Sequence, residues 1–348
     1  MWNITLPIAE IQVSVFALFV IGFCAGVLGG FFGVGGAWIV TPALNIFGFP
    51  MSYAIGTDLA HIFGKSIIAT QKHSKMGNVD IRLGLFAIAG SVIGMEIGAQ
   101  TIMWLTKIGL AGEIVRWLYI ILLFSLAVFM FYDYITATKS NKKISNEETP
   151  KVVPKIPGKT LAQKIQELNL PPFVSCPTSG IKKISIWIIT LIFLVLGFLS
   201  GFLGVGGGFI TVPALIYLLS VPTVVAVGTS LFTVLFKGGY GCFTYAMKGR
   251  VEILAALIML CGAAIGAQIG VTAVKYIRGY GIRLLFAIMT FFAAISVLLK
   301  QATLTTLASY TVIIAASCMS LIIIGGLIKG IKKEKKLIKE KIFTPNPN

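Results

Sequence analysis

Three ionisable residues occur close together in an otherwise apolar stretch of the chain: Asp58, His61 and Lys65. Their spacings of three and seven residues place the three side chains on one face of an α-helix. A carboxylate beside an imidazole can hold and transfer a proton, and an ammonium group can bind an anion. Two interpretations of Asp58 are open: it forms a proton relay with His61, or it neutralises Lys65.

A second lysine, Lys237, occupies the position that matches Lys65 when the second half of the chain is aligned with the first. Two lysines at positions related in this way predict a positively charged site for an oxyanion. The alternative is that each lysine extends to a membrane interface or pairs with an internal acidic residue. The hydroxyl groups of Thr57, Thr229 and Ser230 could also donate to an anion. In membrane helices, however, such groups commonly bond to their own helix backbone.

Glu96 is another candidate proton carrier. It is the only carboxylate in its apolar segment, and Gln268 occupies the matched position in the second half. A carboxylate within a membrane segment is costly and is therefore a candidate for function.

The composition indicates a membrane protein. Of the 348 residues, 57% are hydrophobic and 12% are charged, and no charge occurs between Glu10 and Asp58 or between Lys183 and Lys237. As a helix, the first of these runs would be about 70 Å long, more than twice the hydrocarbon thickness, so it must turn back. The N-terminus lacks a basic region and a cleavage pattern, so a retained N-terminus is expected.

An internal repeat organises the chain. Gly26 to Leu44 reads GVLGGFFGVGGAWIVTPAL and Gly197 to Leu215 reads GFLSGFLGVGGGFITVPAL, identical at 12 of 19 positions. Each half has five apolar segments, which begin with 8–31 and 184–203, and a final segment at 304–328 has no counterpart. The second segment of each half has about 15 residues, which is short for a membrane span.

Glycines separate the long first segment of each half from the short second one. Irregular backbone survives in a membrane only where protein or a water-filled cavity satisfies its polar groups. A helix that begins after such a break points N–H groups and its positive dipole end into the cavity, which suits an anion. The alternative is close helix packing at small residues. The candidates are Gly33, Gly35, Gly36 and Pro42 in the first half, and Gly204, Gly206, Gly207, Gly208 and Pro213 in the second.

The basic residues between the segments predict the orientation of the halves. If each half crosses the membrane an odd number of times, 22 Lys and Arg residues lie on one side and five on the other, whereas an even number divides them 15 to 12. The positive-inside rule favours the first arrangement. The predicted fold is therefore all-α and integral to the membrane, with two homologous inverted helical repeats, a glycine-rich broken-helix hairpin in each, and one extra C-terminal transmembrane helix.

This organisation divides the chain into five parts. A short amphipathic helix is expected in the linker, around Leu161 to Leu168. The parts are a first transmembrane repeat at 1–136, a basic cytoplasmic linker at 137–183, a second repeat at 184–300, the extra helix at 301–328 and a basic cytoplasmic tail at 329–348.

The repeated pattern GxxGVGGxxxxxPAL followed by GTxL resembles the TauE/SafE sulfite exporter family. The resemblance covers both halves but not the linker and tail. It implies a multi-pass cell-membrane protein that exports sulfite, sulfoacetate or related organosulfur anions. The family's glycine-proline signature falls on the glycines and prolines just named, and its Gly-Thr element falls on Gly56-Thr57 and Gly228-Thr229. Ala37, where the second half has Gly208, and the long basic linker depart from the pattern.

The expected function is secondary transport of a small sulfur-containing anion out across the inner membrane, with the anion bound between the two glycine-rich helix termini. Two alternatives are transport of another small anion such as a carboxylate, and a non-transporting membrane anchor or assembly protein. The sequence has no nucleophile-base pair, cofactor motif or cysteine spacing typical of a metal site. We therefore expect no enzymatic activity, cofactor, metal or nucleic-acid partner; the expected partners are the anion and the lipid bilayer.

Overall fold

The structure is a computed structural model that describes residues 3–108, 111–144, 161–168, 170–203, 208–277 and 279–343. Residues 145–160 of the predicted linker lie outside the described residues, and so do Gly204, Gly206 and Gly207. The side chain of Pro42 is likewise not described, although its backbone belongs to a helix.

Helices account for most of the described chain and fall at the predicted apolar segments, although the first helix begins well after residue 8 and the last continues well beyond residue 328. The first half contains α1 (Val15–Phe32), α2 (Ala37–Ile46), α3 (Met51–Lys75), α4 (Ile81–Lys107) and α5 (Ala111–Ile144). The short α6 (Leu161–Gln166) occurs where a linker helix was expected. The remaining helices are α7 (Ile186–Leu203), α8 (Gly208–Tyr217), α9 (Thr223–Ala246), α10 (Ile253–Tyr276), α11 (Gly279–Gln301) and α12 (Thr305–Phe343).

Seven of the described helices are long and apolar enough to cross a membrane: α1, α4, α7, α9, α10, α11 and α12. Helix α3 has 25 residues, but it is not apolar enough to belong to this group. The chain is therefore an all-α, multi-pass membrane protein.

Two short β-hairpins were not predicted. Strands β1 (Asn3–Leu6) and β2 (Ile11–Ser14) pair antiparallel just before α1, where the sequence had suggested that the first helical segment begins at residue 8. Strands β3 (Phe173–Cys176) and β4 (Ile181–Ser185) form the corresponding hairpin before α7, within the predicted linker. Alternation of buried and exposed side chains explains the strands, since Leu6 and Val13 are buried while their neighbours along each strand are more exposed.

The long helices pack across the two halves. Helix α1 runs parallel to α10. The order of the contacts shows this direction, since Gly22 lies against Met259 and Gly26 lies against Ala263. Helix α4 runs parallel to α7 in the same way, with Gly94 between Leu194 and Phe198. At each of these glycines the partner backbone occupies the place that a Cβ would need, which is the close approach typical of small residues in membrane helices.

Helices α3 and α9 cross at the centre of the molecule and run antiparallel. Gly238 contacts Ile62 and Phe63, while Gly241 contacts Leu59. The short helix α2 packs on α3, and α8 packs on α9. Helix α12 covers α10, α11, α1 and α2.

We expect Gly94→Ala to lower the free energy of unfolding by about 1–3 kcal/mol, because the added Cβ would overlap the backbone oxygen of Leu194. The control is Gly325→Ala in α12, where an added Cβ has no neighbour within 4 Å. Both substitutions gain the same helix propensity, so their difference in thermal unfolding in detergent isolates the overlap. Equal stability of the two variants would contradict the close packing of α4 and α7.

Candidate functional site

The glycine break of the first half joins α1 to α2. Gly33 has φ 77° and Gly36 has φ 90°, a backbone region that favours glycine. The N–H of Gly33 donates to the carbonyl of Gly29 at 3.0 Å, which closes α1. Helix α2 then starts with the N–H groups of Ile39 and Val40 donating to the carbonyl of Gly36. Helix α1 thus ends before Gly33, and α2 begins after Gly36.

The start of α8 meets this break. A Cβ on Gly208 would lie 2.9 Å from the backbone nitrogen of Gly35 and 3.0 Å from the carbonyl oxygen of Gly33, so a larger residue would push the two segments apart. The hydroxyl of Ser230 on α9 donates to the carbonyl of Gly33 at 2.8 Å. The structure thus brings four of the sequence-predicted residues together, Gly33, Gly35, Gly208 and Ser230. Pro213 lies inside α8 and is buried.

The two matched lysines are both buried beside the short helices. The ammonium group of Lys65 donates to the carbonyl of Ala25 at 3.1 Å and lies next to Gly36. The ammonium group of Lys237 lies 3.4 Å from the hydroxyl of Thr211 on α8. Their exposed fractions are 1% and 0%, so neither lysine extends to an interface.

Neither Lys65 nor Lys237 has a carboxylate of the described residues within 4 Å of its nitrogen. Each has a neutral acceptor instead. Buried charges in proteins are normally paired, because removing an ion from water costs several kcal/mol. Lys65 and Lys237 are thus buried ammonium groups on α3 and α9, which cross at Ile62 and Gly238.

Asp58 and His61 form a separate polar group on the same helix as Lys65. One carboxylate oxygen of Asp58 accepts from the hydroxyl of Thr41 at 2.9 Å, and the other lies 3.4 Å from Nδ1 of His61. Among the described residues Nε2 of His61 has no hydrogen-bond partner, although the ring is fully buried. Because Asp58 contacts His61 and Thr41 and not Lys65, the geometry is that of a carboxylate-imidazole pair with one nitrogen open to a proton.

Glu96 lies apart from the glycine breaks. It is half-buried on α4, where it accepts from the amide of Gln100 at 2.8 Å and from the hydroxyl of Tyr240. Three exposed apolar side chains, Ile93, Ile97 and Phe243, lie on the same helices. The structure therefore does not place this carboxylate beside either lysine.

Thr57 and Thr229 have a different contact from the one that the sequence suggested. The Thr57 hydroxyl oxygen accepts from the backbone N–H of Glu252, and the Thr229 hydroxyl oxygen accepts from the N–H of Asp80, each at 3.0 Å. The preceding glycines allow this approach, since a Cβ on Gly56 would overlap the backbone of the loop before α10. The Gly-Thr element thus holds the start of the fourth helix of the opposite half.

Sequence reasoning missed Asp80 and Glu252. Both are buried, and they occupy matched positions of the two halves, as the lysines do. A signal was available, because the residues that precede α4 read GNVD and those that precede α10 read GRVE.

A cavity of about 10 Å³ lies beside Val34 of the first break and is lined mainly by the rings of Phe32, Phe209 and Phe286. This volume admits about one water molecule.

Comparison with known proteins agrees with this architecture. Residues 18–297 match the family model described as sulfite exporter TauE/SafE. The chain is 28% identical over 262 residues to "Probable membrane transporter protein YunE" of Bacillus subtilis, which covers 73% of this chain and 86% of the relative. It is 26% identical over 269 residues to a probable membrane transporter protein of Methanocaldococcus jannaschii, covering 73% and 84%. No solved structure is significantly similar to the chain.

We expect Gly36→Ala to displace the Lys65 ammonium group, because the new Cβ would lie 2.5 Å from it. Gly48→Ala is the matched control. Gly48 has φ 93°, so both variants impose similar backbone strain, but an added Cβ at residue 48 has no neighbour within 4 Å. Anion binding or flux should fall at least about tenfold more in the first variant, the change expected from about 1.4 kcal/mol of lost interaction. Similar activity in both variants, at similar thermal stability, would contradict a role for Lys65 at this break.

Proposed function

Since the chain belongs to the sulfite exporter TauE/SafE family, we propose that it is a secondary transporter that exports a small sulfur-containing anion, such as sulfite or sulfoacetate. Its relatives are named as membrane transporters, and its helices are those of a multi-pass protein of the cell membrane. The observation that carries an anionic cargo is the pair of buried lysines, Lys65 and Lys237, which lie beside Gly36 and Thr211 with no carboxylate partner among the described residues.

The proposed architecture is a pair of inverted repeats. Equivalent helices of repeats related by an axis along the membrane normal run parallel, whereas those of inverted repeats run antiparallel. Helices α3 and α9 are equivalent by sequence, and their contacts run antiparallel. Helix α7 is equivalent to α1 by sequence, and α10 is equivalent to α4. The packing of α1 on α10 and of α7 on α4 therefore fits the same axis, which would lie in the membrane plane.

Contacts between loops agree with the two groups of loops, one on each side of the membrane, that the charge count favours. Asp80 bonds to Ser179 at the end of the linker, and Lys275 pairs with Glu334 in the tail extension of α12. These residues all belong to the predicted cytoplasmic side. Glu252 bonds to Ile8 near the N-terminus, which is the predicted external side.

The positive charge favours an anion, and the family relation favours sulfur among anions. Sulfite and the sulfonate group of sulfoacetate each carry three oxygens, whereas a carboxylate group carries two. The three oxygens can accept hydrogen bonds from several donors at once. The two glycine breaks and two lysines would supply such donors from opposite sides. A carboxylate is the competing cargo, since the same charge would bind it.

In proteoliposomes that contain the purified protein, we expect uptake of sulfite or sulfoacetate but not of the zwitterion taurine. Lys65→Met and Lys237→Met should each reduce this flux at least about tenfold, because hydrogen bonds to charged groups contribute about 1.5–3 kcal/mol. The control is Lys72→Met, on the same helix as Lys65, whose ammonium group donates to Gln268 and Thr272 nearer the surface.

The outcomes of this flux experiment separate the competing functions. Uptake of acetate in preference to any sulfur anion would replace the cargo but keep the site. A folded protein with no anion flux at all would leave a membrane anchor as the better assignment. Unchanged sulfite flux in both lysine variants would contradict the proposed binding site.

We further propose that transport is coupled to protons through Asp58 and His61. The pair is buried one to two turns from Lys65, and Nε2 of His61 can accept a proton without breaking a described hydrogen bond. Glu96 remains the second candidate carrier, with Tyr240 and Gln100 as its partners. Only one half carries the Asp58 pair, because the matched residues are Ser230 and Thr233.

Asp58→Asn should abolish accumulation of the anion against its gradient when an imposed pH difference is the energy source. Exchange of labelled for unlabelled anion should persist, since exchange needs no net proton movement. His61→Gln should behave in the same way, and Glu96→Gln is the matched control. If Glu96→Gln alone removes the pH-driven accumulation, the proton carrier is Glu96; if none of the three does, coupling to protons is refuted.

A further inference from the structure

Two buried carboxylates outside the lysine site occupy matched positions. Asp80 precedes α4 and Glu252 precedes α10, with exposed fractions of 2% and 1%. Both are ionisable groups in a buried environment, so their hydrogen-bond partners determine whether the charge is tolerated. In each case these partners include the hairpin that precedes the first helix of the other half.

Asp80 holds the hairpin that precedes α7. Its Oδ2 accepts from the backbone N–H of Ser179 at 3.0 Å and from the Ser179 hydroxyl at 2.7 Å. Its Oδ1 accepts from the N–H of Leu83 at 3.0 Å and so caps α4. Ser179 lies in the turn between β3 and β4, so the carboxylate connects the start of α4 to the hairpin before α7.

Glu252 makes the equivalent connection for α1. Its Oε2 accepts from the N–H of Ile8 at 2.8 Å and from the N–H of Ala9 at 2.9 Å. These two residues form the turn between β1 and β2. Ile8 and Ser179 themselves stand at matched positions when the halves are aligned on their glycine motifs, so the two contacts are equivalent by sequence.

Both connections continue inward to the central helices. The N–H of Asp80 donates to Thr229, which is the residue before Ser230, and the N–H of Glu252 donates to Thr57, which is the residue before Asp58. Each hairpin is therefore connected through one buried residue to a helix that carries candidate site residues.

We propose that Asp80 and Glu252 are positioning residues that act as two latches, one on each face of the membrane, and that release of either latch opens its own face alone. An inverted-repeat transporter must open each face while the other stays closed. Each latch fastens the entrance of one first helix, α1 or α7, to the opposite half. The inference rests on the inverted arrangement proposed above but not on the identity of the cargo.

The chain contains a natural reporter of the Asp80 latch. Cys176 in β3 is fully buried, and burial followed by the negative charge of Asp80 raises the pKa of its thiol to about 12. The protonated, buried thiol reacts poorly with a maleimide. Leu6, which is also fully buried at the equivalent end of β1, provides the matched position for the other hairpin.

The experiment measures labelling by a membrane-impermeant maleimide in a protein whose other four cysteines are replaced by alanine. Asp80→Asn should increase the labelling rate of Cys176 about tenfold or more, from the cytoplasmic side, because a charged acceptor of three hydrogen bonds is lost. Glu252→Gln should leave Cys176 unchanged. In a second protein, Leu6→Cys provides the reporter and Cys176 is replaced by alanine. There Glu252→Gln should increase the labelling rate from the external side, and Asp80→Asn should leave it unchanged.

Ser179→Ala is the control for a direct electrostatic effect on the thiol. It removes one bond to Asp80 but leaves the charge in place, so a smaller increase in Cys176 labelling is expected. It is also a mild substitution that keeps the test available if Asp80→Asn fails to fold. An increase confined to Asp80→Asn would show an effect of charge and overturn the latch.

Two further results would overturn the proposal. Equal increases at both reporters in either variant would mean general loosening of the protein, and no increase at either reporter would mean that the carboxylates do not hold the hairpins. The labelling needs no anion, so its outcome is independent of the flux measurements on Lys65 and Lys237.

Discussion

The requirement that shapes this molecule is that interrupted helices inside a membrane must have their backbone polar groups covered by protein. Hydrocarbon offers no hydrogen-bond partner, and each unsatisfied group costs several kcal/mol. The break after α1 is covered by Ser230, which bonds to the carbonyl of Gly33, and by the start of α8 at Gly208. Because Ile62 and Val234 also touch Gly35, this contact fixes where α3 and α9 cross. The position of both buried lysines follows from that crossing.

Burial also determines what the lysines can do. Close packing at the glycines of α1 with α10 and α4 with α7 leaves little room for water between the halves. In such an environment electrostatic interactions are less screened than in bulk water. An ammonium group with only a neutral acceptor is then poorly compensated, and a mobile anion is a better partner than the carbonyl of Ala25 or the hydroxyl of Thr211.

Much of this organisation could be predicted from the sequence because it depends on local patterns. The apolar runs predicted where most helices lie, although α5 and α12 continue well beyond the predicted ends at residues 136 and 328, and the repeated glycines located the break between α1 and α2. The hairpins were missed because four-residue strands are too short for alternation to stand out from a neighbouring apolar run. The contacts of Thr57 and Thr229 were missed because their partners lie 195 and 149 residues away. Only the matched GNVD and GRVE sequences hinted at them.

The two halves share some of the candidate residues and differ in others. The glycine motifs, the lysines and the Gly-Thr contacts occur in both halves. By contrast Asp58 and His61 are replaced at their matched positions by Ser230 and Thr233, whose hydroxyl groups do not titrate near neutral pH, and Thr41, which donates to Asp58, is replaced by Val212. A single titratable pair beside one of two equivalent lysines would link proton binding to anion binding through only one half. The repeated scaffold can therefore carry the acid-base pair in one half alone.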